Sequence, residues 1–271
     1  MDSYLRDFCV GWHGQTYEEC TAKSIVLPDR WIDFTLWYNM TYNIGCIVGA
    51  LIGGWVADKF GRRVTIFNAG LLFCVGTSWV CFSPDQAHAS LLIARVIQGM
   101  GVGNSSFSLP IFGAEIAPKE LRGFLSGFMQ MTIVTGLLLA NIVNLAVEDH
   151  AQGWRITNGV AMAAPIIVML GIFFIAEEGE PAGWTELLQP SILKRVLIAM
   201  ALQVLQQATG INPMFSYGGL IFKDVVGDGI MSVLILSIVN FVSTIPAMRW
   251  VDTFGRRQLL LIGAVGMVLG H

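Results

Sequence analysis

The feature that most constrains this chain is its long runs without charge. Residues 34–57, 64–84, 96–114, 123–147, 156–176, 196–222 and 229–248 contain no Asp, Glu, Lys or Arg. At 1.5 Å per residue, each run is long enough to cross about 30 Å of hydrocarbon as a helix. Seven spans are therefore expected. An eighth run starts at Gln258 and reaches only His271, short of the roughly 20 residues that a crossing needs. The composition agrees, with 54% hydrophobic residues, 13% charged residues and a mean hydropathy of +0.64, values of the membrane class. The fold class expected is an all-α polytopic membrane protein with seven full spans and a partial eighth.

Lys and Arg collect in alternate loops, and positive residues in short loops stay on the cytoplasmic side. Lys59, Arg62 and Arg63, then Lys119 and Arg122, Lys194 and Arg195, and Arg249, Arg256 and Arg257 make up ten of the sixteen basic residues. The loops between them hold only Arg155 and Lys223. The rich set is thus expected in the cytoplasm and residues 1–33 outside. Those 33 residues contain no apolar run able to carry them across, so a preceding helix is expected and the chain reads as truncated at both ends. Cys9 and Cys20 fall in this outer segment, where a disulfide can persist, and are the candidate pair. Cys46, Cys74 and Cys81 lie in or beside spans, as small apolar side chains do. The net charge of −3 argues against a nucleic-acid partner.

Asp58-Lys-Phe-Gly-Arg-Arg63 recurs as Asp252-Thr-Phe-Gly-Arg-Arg257, each directly after a span and six spans apart. Such recurrence points to two halves related by internal duplication. The division expected is an extracellular segment at 1–33, a first half-bundle at 34–176 lacking its first helix, a cytoplasmic linker at 177–195 and a partial second half-bundle at 196–271. Gly61 and Gly255 suit a tight turn at the membrane surface. Gly45, Gly49 and Gly53, at four-residue spacing, make a smooth helix stripe for close packing. Gly99-Met-Gly-Val-Gly103 follows no strand and lies within a span, so helix packing rather than nucleotide binding is its reading. Asn39-Met-Thr41 and Asn104-Ser-Ser106 match the glycosylation pattern inside membrane runs, where no modification is expected.

Gly54-x-x-x-Asp58-Lys-x-Gly61-Arg62-Arg63 resembles the cytoplasmic loop signature of the major facilitator superfamily. Arg95-x-x-x-Gly99-x-Gly101-x-Gly103, the run Pro110-Ile-Phe-Gly-Ala-Glu115-Ile-Ala-Pro118-x-x-x-Arg122-Gly123, Gly153-Trp-Arg155 and Gln206-Gln207-Ala-Thr-Gly210-Ile-Asn212 together resemble its sugar porter family. The resemblance matches the seven spans to the family's helices two to eight and the last run to the start of nine. Two departures stand out. The family's Pro-Glu-Ser-Pro-Arg element and its following cytoplasmic helices are replaced by Glu177-Glu-Gly-Glu-Pro-Ala-Gly-Trp184, and Ser216 precedes Tyr217 where the family has a tyrosine pair.

Amides in hydrocarbon should face the bundle interior or a wet cavity. Gln203, Gln206 and Gln207 share one helix face, and Gly210 and Pro213 loosen the helix around Asn212. The resemblance implies sugar contacts at Gln130, Gln203, Gln206, Gln207, Asn212 and Asn240; the plainer reading is that these amides join helices. Asp58, Arg62, Arg63, Glu115, Arg122, Asp252, Arg256 and Arg257 share the cytoplasmic side. The resemblance implies a gate network there, while topology anchoring alone would also explain them. Arg95 either lines the pathway or reaches to the outer surface.

The function expected is transport of a hexose-like monosaccharide by alternating access, as facilitator or proton symporter, in the plasma membrane. The family's symporters share an acidic residue on helix one that this chain lacks. The alternatives are a non-transporting fragment and a sugar sensor of the same family. Sugar, lipid bilayer and protons are the candidate partners. Neither an enzyme, a metal site nor a cofactor is expected, since no nucleophile-base pair, metal cluster or phosphate loop stands outside the spans.

Overall fold

A computed structural model of the chain describes residues 2–14, 16, 20, 29–116, 122–174, 229–254, 258 and 261–266. The described residues form the helices α1 (Asp2–Phe8), α2 (Asp29–Phe60), α3 (Arg62–Cys81), α4 (His88–Ile116), α5 (Arg122–Ala146), α6 (Gly153–Ala161), α7 (Ala163–Gly171) and α8 (Gly229–Phe254). Single 3-10 turns follow α1 at Trp12–Gly14 and α7 at Ile172–Phe174. Among the described residues five segments are long and apolar enough to cross a membrane, from Arg30–Phe60 to Ile230–Trp250. The 32 residues of α2 reach about 48 Å, well past the hydrocarbon, because Asp29, Arg30, Asp33, Asp58 and Lys59 extend the helix into the polar zones at both ends. Trp37 and Trp55 are both exposed on it, about 27 Å apart along the axis, the spacing of two interfacial aromatic belts.

The expected span 156–176 is one helix interrupted once. Pro165 has no N–H to give to the Ala161 carbonyl, and the ladder breaks at Met162, whose N–H turns back to Gly159 O at 3.1 Å. The helix restarts at Ala163, so α6 and α7 together still span 19 residues.

Contacts sort the chain into two compact units, 1–116 with 143–208 and 117–142 with 209–271. Compactness groups helices that touch, whereas the repeat groups helices by chain order, so these units differ from the 34–176 and 196–271 halves.

In the first unit α4 packs between α2 and α3. A side-chain carbon at Gly45 or Gly49 would meet the backbone of Val96 or Met100, and one at Gly99 or Gly103 the backbone of Tyr42 or Cys46. The glycine stripes of α2 and α4 thus interlock with backbone against backbone. Gly76 and Gly101 do the same between α3 and α4. One end of this unit carries a cap. Phe8, Cys9, Cys20, Trp31, Phe34, Val80, Leu91, Ala94 and Trp154 form its buried core. Cys9 and Cys20 are joined by a disulfide, with their Cα atoms 6.0 Å apart. The cap is tied down by Trp154 Nε1 to Asp7 Oδ2 at 2.9 Å, Arg6 to Ala151 O at 3.1 Å and the Gln86 N–H to Asp7 O at 3.3 Å. All three segments involved are ones that the charge pattern puts outside.

In the second unit Val134 and Asn141 of α5 and Leu234 and Ser237 of α8 are buried, and the two helices meet at two points. Asn141 Nδ2 donates to Ser237 Oγ at 2.8 Å, and Gly127 faces Met248. Since Asn141 lies toward the end of α5 and Ser237 toward the start of α8, the two run antiparallel.

Candidate functional site

Among the sugar-contact candidates, Gln130 and Asn240 are described, and both belong to the second unit. Gln130 is an exposed residue of α5, set at the edge of the stripe 127, 131, 134, 138 and 141 that faces α8. Asn240 is half-buried at the edge of the corresponding stripe of α8. At about 100° per residue, each lies roughly 60–80° off the centre of its stripe, in the same rotational sense. For two antiparallel helices face to face, equal sense means the same flank, so both amides line one side of the α5–α8 pair. The backbone near Asn240 is also held unusually. Its carbonyl accepts the hydroxyls of Ser243 at 3.0 Å and Thr244 at 2.7 Å, one turn before Pro246 interrupts the ladder. Gln203, Gln206, Gln207 and Asn212 lie outside the described residues.

The sequence reading missed Asn141, the buried amide of this pair. It stands in an uncharged run just as Gln130 does, and the cost of burying an unpaired amide in hydrocarbon was the available signal. Choosing its partner, Ser237, 96 residues away, required the fold.

At the turn between α2 and α3, Gly61 has φ 85°, a left-handed conformation that keeps the connection to one residue. Arg63, one of the gate candidates, donates to Ile172 O at 3.1 Å and Phe173 O at 2.8 Å. A guanidinium on the last carbonyls of α7 and its 3-10 turn caps that end and suits its dipole. Arg63 therefore ties the start of α3 to the end of α7 within the first unit. Asp58 and Arg62 are half-buried beside it. Glu115, Arg122 and Asp252 are placed by their backbones alone, in the last turn of α4, the first residue of α5 and the last turn of α8. The last turn of α8 repeats the Asp-x-Phe of α2. Arg256 and Arg257 lie outside the described residues.

Arg95 sits beneath the cap. Its guanidinium lies 4.2 Å from the centre of the Tyr38 ring and donates to Gln98 Oε1 at 2.9 Å, and Gln98 in turn donates to Thr77 Oγ1 at 2.9 Å. Above, Tyr4 of α1 stacks near Tyr38, 6.2 Å between centroids. Burial first, and then its neighbour Tyr38, push the Tyr4 phenol well above the ordinary tyrosine range, while Arg95 pulls it down. The Arg95 cation is held by the Tyr38 and Tyr42 rings and the Gln98 amide.

Comparison with known proteins decides the family. The sequence model described as "Sugar (and other) transporter" matches residues 1–178 and 176–271, the whole chain. The chain belongs to the sugar transporter family. Among its sugar transporter relatives is a low-affinity glucose transporter of Kluyveromyces lactis, 31% identical over 84% of this chain and 49% of that protein. A D-xylose transporter of Levilactobacillus brevis is 30% identical over 85% of this chain and 60% of that protein. The chain thus spans about half the length of the curated relatives it matches. In fold it is similar to the major facilitator superfamily proton:xylose symporter XylE bound to 6-bromo-6-deoxy-D-glucose, with a TM-score of 0.77 over 99% of this chain and 71% of that one, at 23% identity. A D-xylose-proton symporter structure, 26% identical, gives 0.69 with the same coverage. The chain is accordingly an integral, multi-pass membrane protein of the major facilitator fold.

Proposed function

We propose that this family member moves a hexose-like monosaccharide across the plasma membrane by alternating access, as a facilitator or proton symporter. The observation that carries the reading is the match of the sugar transporter family along the whole chain. Relatives named for glucose and xylose support a neutral monosaccharide as the cargo. Gln130 and Asn240 on one flank of α5–α8 supply amide donors and acceptors of the kind that sugar hydroxyls pair with. In this reading Gln203, Gln206, Gln207 and Asn212 complete the site, and the half-bundles 34–176 and 196–271 rock around it. The charged set Asp58, Arg62, Arg63, Glu115, Arg122, Asp252, Arg256 and Arg257 closes the cytoplasmic end. Exposed ion pairs contribute about 0–1 kcal/mol each, so such a gate works only as a set.

The test is binding and uptake of labelled glucose by the purified chain in liposomes, with thermal unfolding as the control for folding. Saturable binding or uptake that Gln207→Ala abolishes and Gln130→Ala weakens about tenfold, neither lowering the unfolding temperature, is the expected result. A folded chain that neither binds nor moves glucose or xylose leaves the non-transporting alternative in its place. A protonophore then separates the modes, since it collapses accumulation by a symporter and leaves equilibration by a facilitator unchanged.

A further inference from the structure

A neutral imidazole carries one N–H and so satisfies one carbonyl acceptor. His88, the first residue of α4, faces two. Its Nδ1 lies 2.8 Å from Gln86 O and its Nε2 lies 3.0 Å from Phe8 O. In either neutral tautomer one ring lone pair confronts a carbonyl lone pair, whereas the imidazolium donates to both oxygens. The ring also stacks on the indole of Trp12, with centroids 4.3 Å apart and planes at 23°, and meets Phe34 edge-on at 4.8 Å. An indole face attracts a cation.

We propose that His88 is a proton-operated clasp that fastens residues 8–12 of the outer cap to the start of α4, closed when the ring is doubly protonated and loosened when it is neutral. The loop before α4 grips the cap at three points. Gln86 donates its N–H to Asp7 O at 3.3 Å and its side-chain amide to Val10 O at 3.1 Å, and His88 holds Phe8 O. Only the third point is made by an ionisable side chain. Gln86 does this from a left-handed conformation, φ 61°, that a non-glycine residue adopts at a cost.

The charged groups of the surrounding elements are committed elsewhere or exposed. On α1, Arg6 and Asp7 lie 3.8 Å apart, and the Asp7 carboxylate takes the Trp154 N–H. In the loop, Asp85 pairs with Arg155 of α6 at 2.9 Å. On α2, Arg30 and Asp33 are exposed. On α4 itself, Arg95 is bound to Gln98 and Tyr38. Among the described residues the charge on His88 therefore answers mainly to two carbonyls and the Trp12 face. The imidazolium makes two charge-assisted hydrogen bonds where the neutral ring makes one, and it presents its charge to the indole face.

The test uses the full chain in lipid nanodiscs and follows reduction of the Cys9–Cys20 bond by a water-soluble phosphine, read by maleimide labelling, at pH 5 and pH 8. His88→Phe keeps the ring stack, removes both nitrogens and supplies the pH dependence of the reagent itself. After that normalisation, reduction of the wild-type bond is expected to be about fivefold slower at pH 5 than at pH 8. Equal pH ratios in wild type and His88→Phe would overturn the proposal. A second readout does not need that variant to fold. The fluorescence difference between wild type and Trp12→Phe isolates Trp12, which an overlying imidazolium quenches. That difference should shrink at pH 5, and a pH-independent difference rules the clasp out.

Discussion

The α2–α4 seam and the α5–α8 seam join apolar helices of similar length by different means. In the first, Gly45, Gly49, Gly99 and Gly103 bring one backbone directly onto another. In the second, side chains intervene: Val134 and Leu234 are buried, Asn141 bonds Ser237, and a side-chain carbon at Gly127 would meet only the Met248 side chain, at 3.7 Å. Lipid tails are as apolar as leucine, so neither seam is held by the hydrophobic effect; close packing and hydrogen bonds must supply the affinity. A backbone seam has no rotamers with which to adjust and behaves as one rigid piece. A seam of side chains with one polar link can be remade, which fits a helix pair whose flank carries the sugar-contact candidates.

The largest effect expected from this contrast is steric. Gly49→Val drives carbon into the Met100 carbonyl, which cannot rotate away, and should cost about 3 kcal/mol or more, or prevent folding. Gly127→Val meets a flexible methionine and should cost under about 1 kcal/mol. Thermal and chemical unfolding of the two variants in the same detergent checks this. Equal losses would mean that the seams do not differ in rigidity.

A smaller effect separates the flank from the seam. Gln130 is exposed, so Gln130→Ala should shift stability by less than about 0.5 kcal/mol. Glucose affinity should nevertheless fall about tenfold, the loss of roughly one hydrogen bond to a buried ligand. Titration of labelled glucose beside an unfolding curve reads both numbers. A variant that loses stability and affinity together would make Gln130 a seam residue instead.

How far the sequence led differs from place to place for physical reasons. Charge-free runs located the described long helices, because crossing hydrocarbon is a requirement on composition and length. They misplaced helix ends, since Asp29, Arg30 and Lys59 are poor hydrocarbon residues yet good enough helix formers at a membrane surface, and α2 runs through them. Arg95 cut short the expected span 96–114, whereas α4 begins at His88 and passes through it. That passage is possible because Tyr38 and Gln98 take up the cation, a circumstance of tertiary packing. The glycine stripe was legible as a packing face, but not which helix would fill it. Among the amides, Gln130 and Asn240 were named through the family resemblance, and their common flank emerges only once the antiparallel pairing of α5 with α8 is known. Gln203, Gln206, Gln207 and Asn212 lie outside the described residues.

The smallest effect expected is the most specific to the second seam. Asn141→Ala removes the Asn141–Ser237 bond, but Ser237 Oγ already donates to Val233 O at 2.9 Å, so the hydroxyl is left with a partner inside its own helix. The cost of the missing donor is therefore modest, and interhelical hydrogen bonds in membranes average about 0.6 kcal/mol by double-mutant cycles. A cycle of Asn141→Ala, Ser237→Ala and the double variant should return a coupling near that figure. A coupling above about 2 kcal/mol would make the link a lock, and α5–α8 would then be as fixed as the glycine seam. A coupling of zero would leave apolar side-chain packing alone to hold the pair, a looser joint and one still easier to remake.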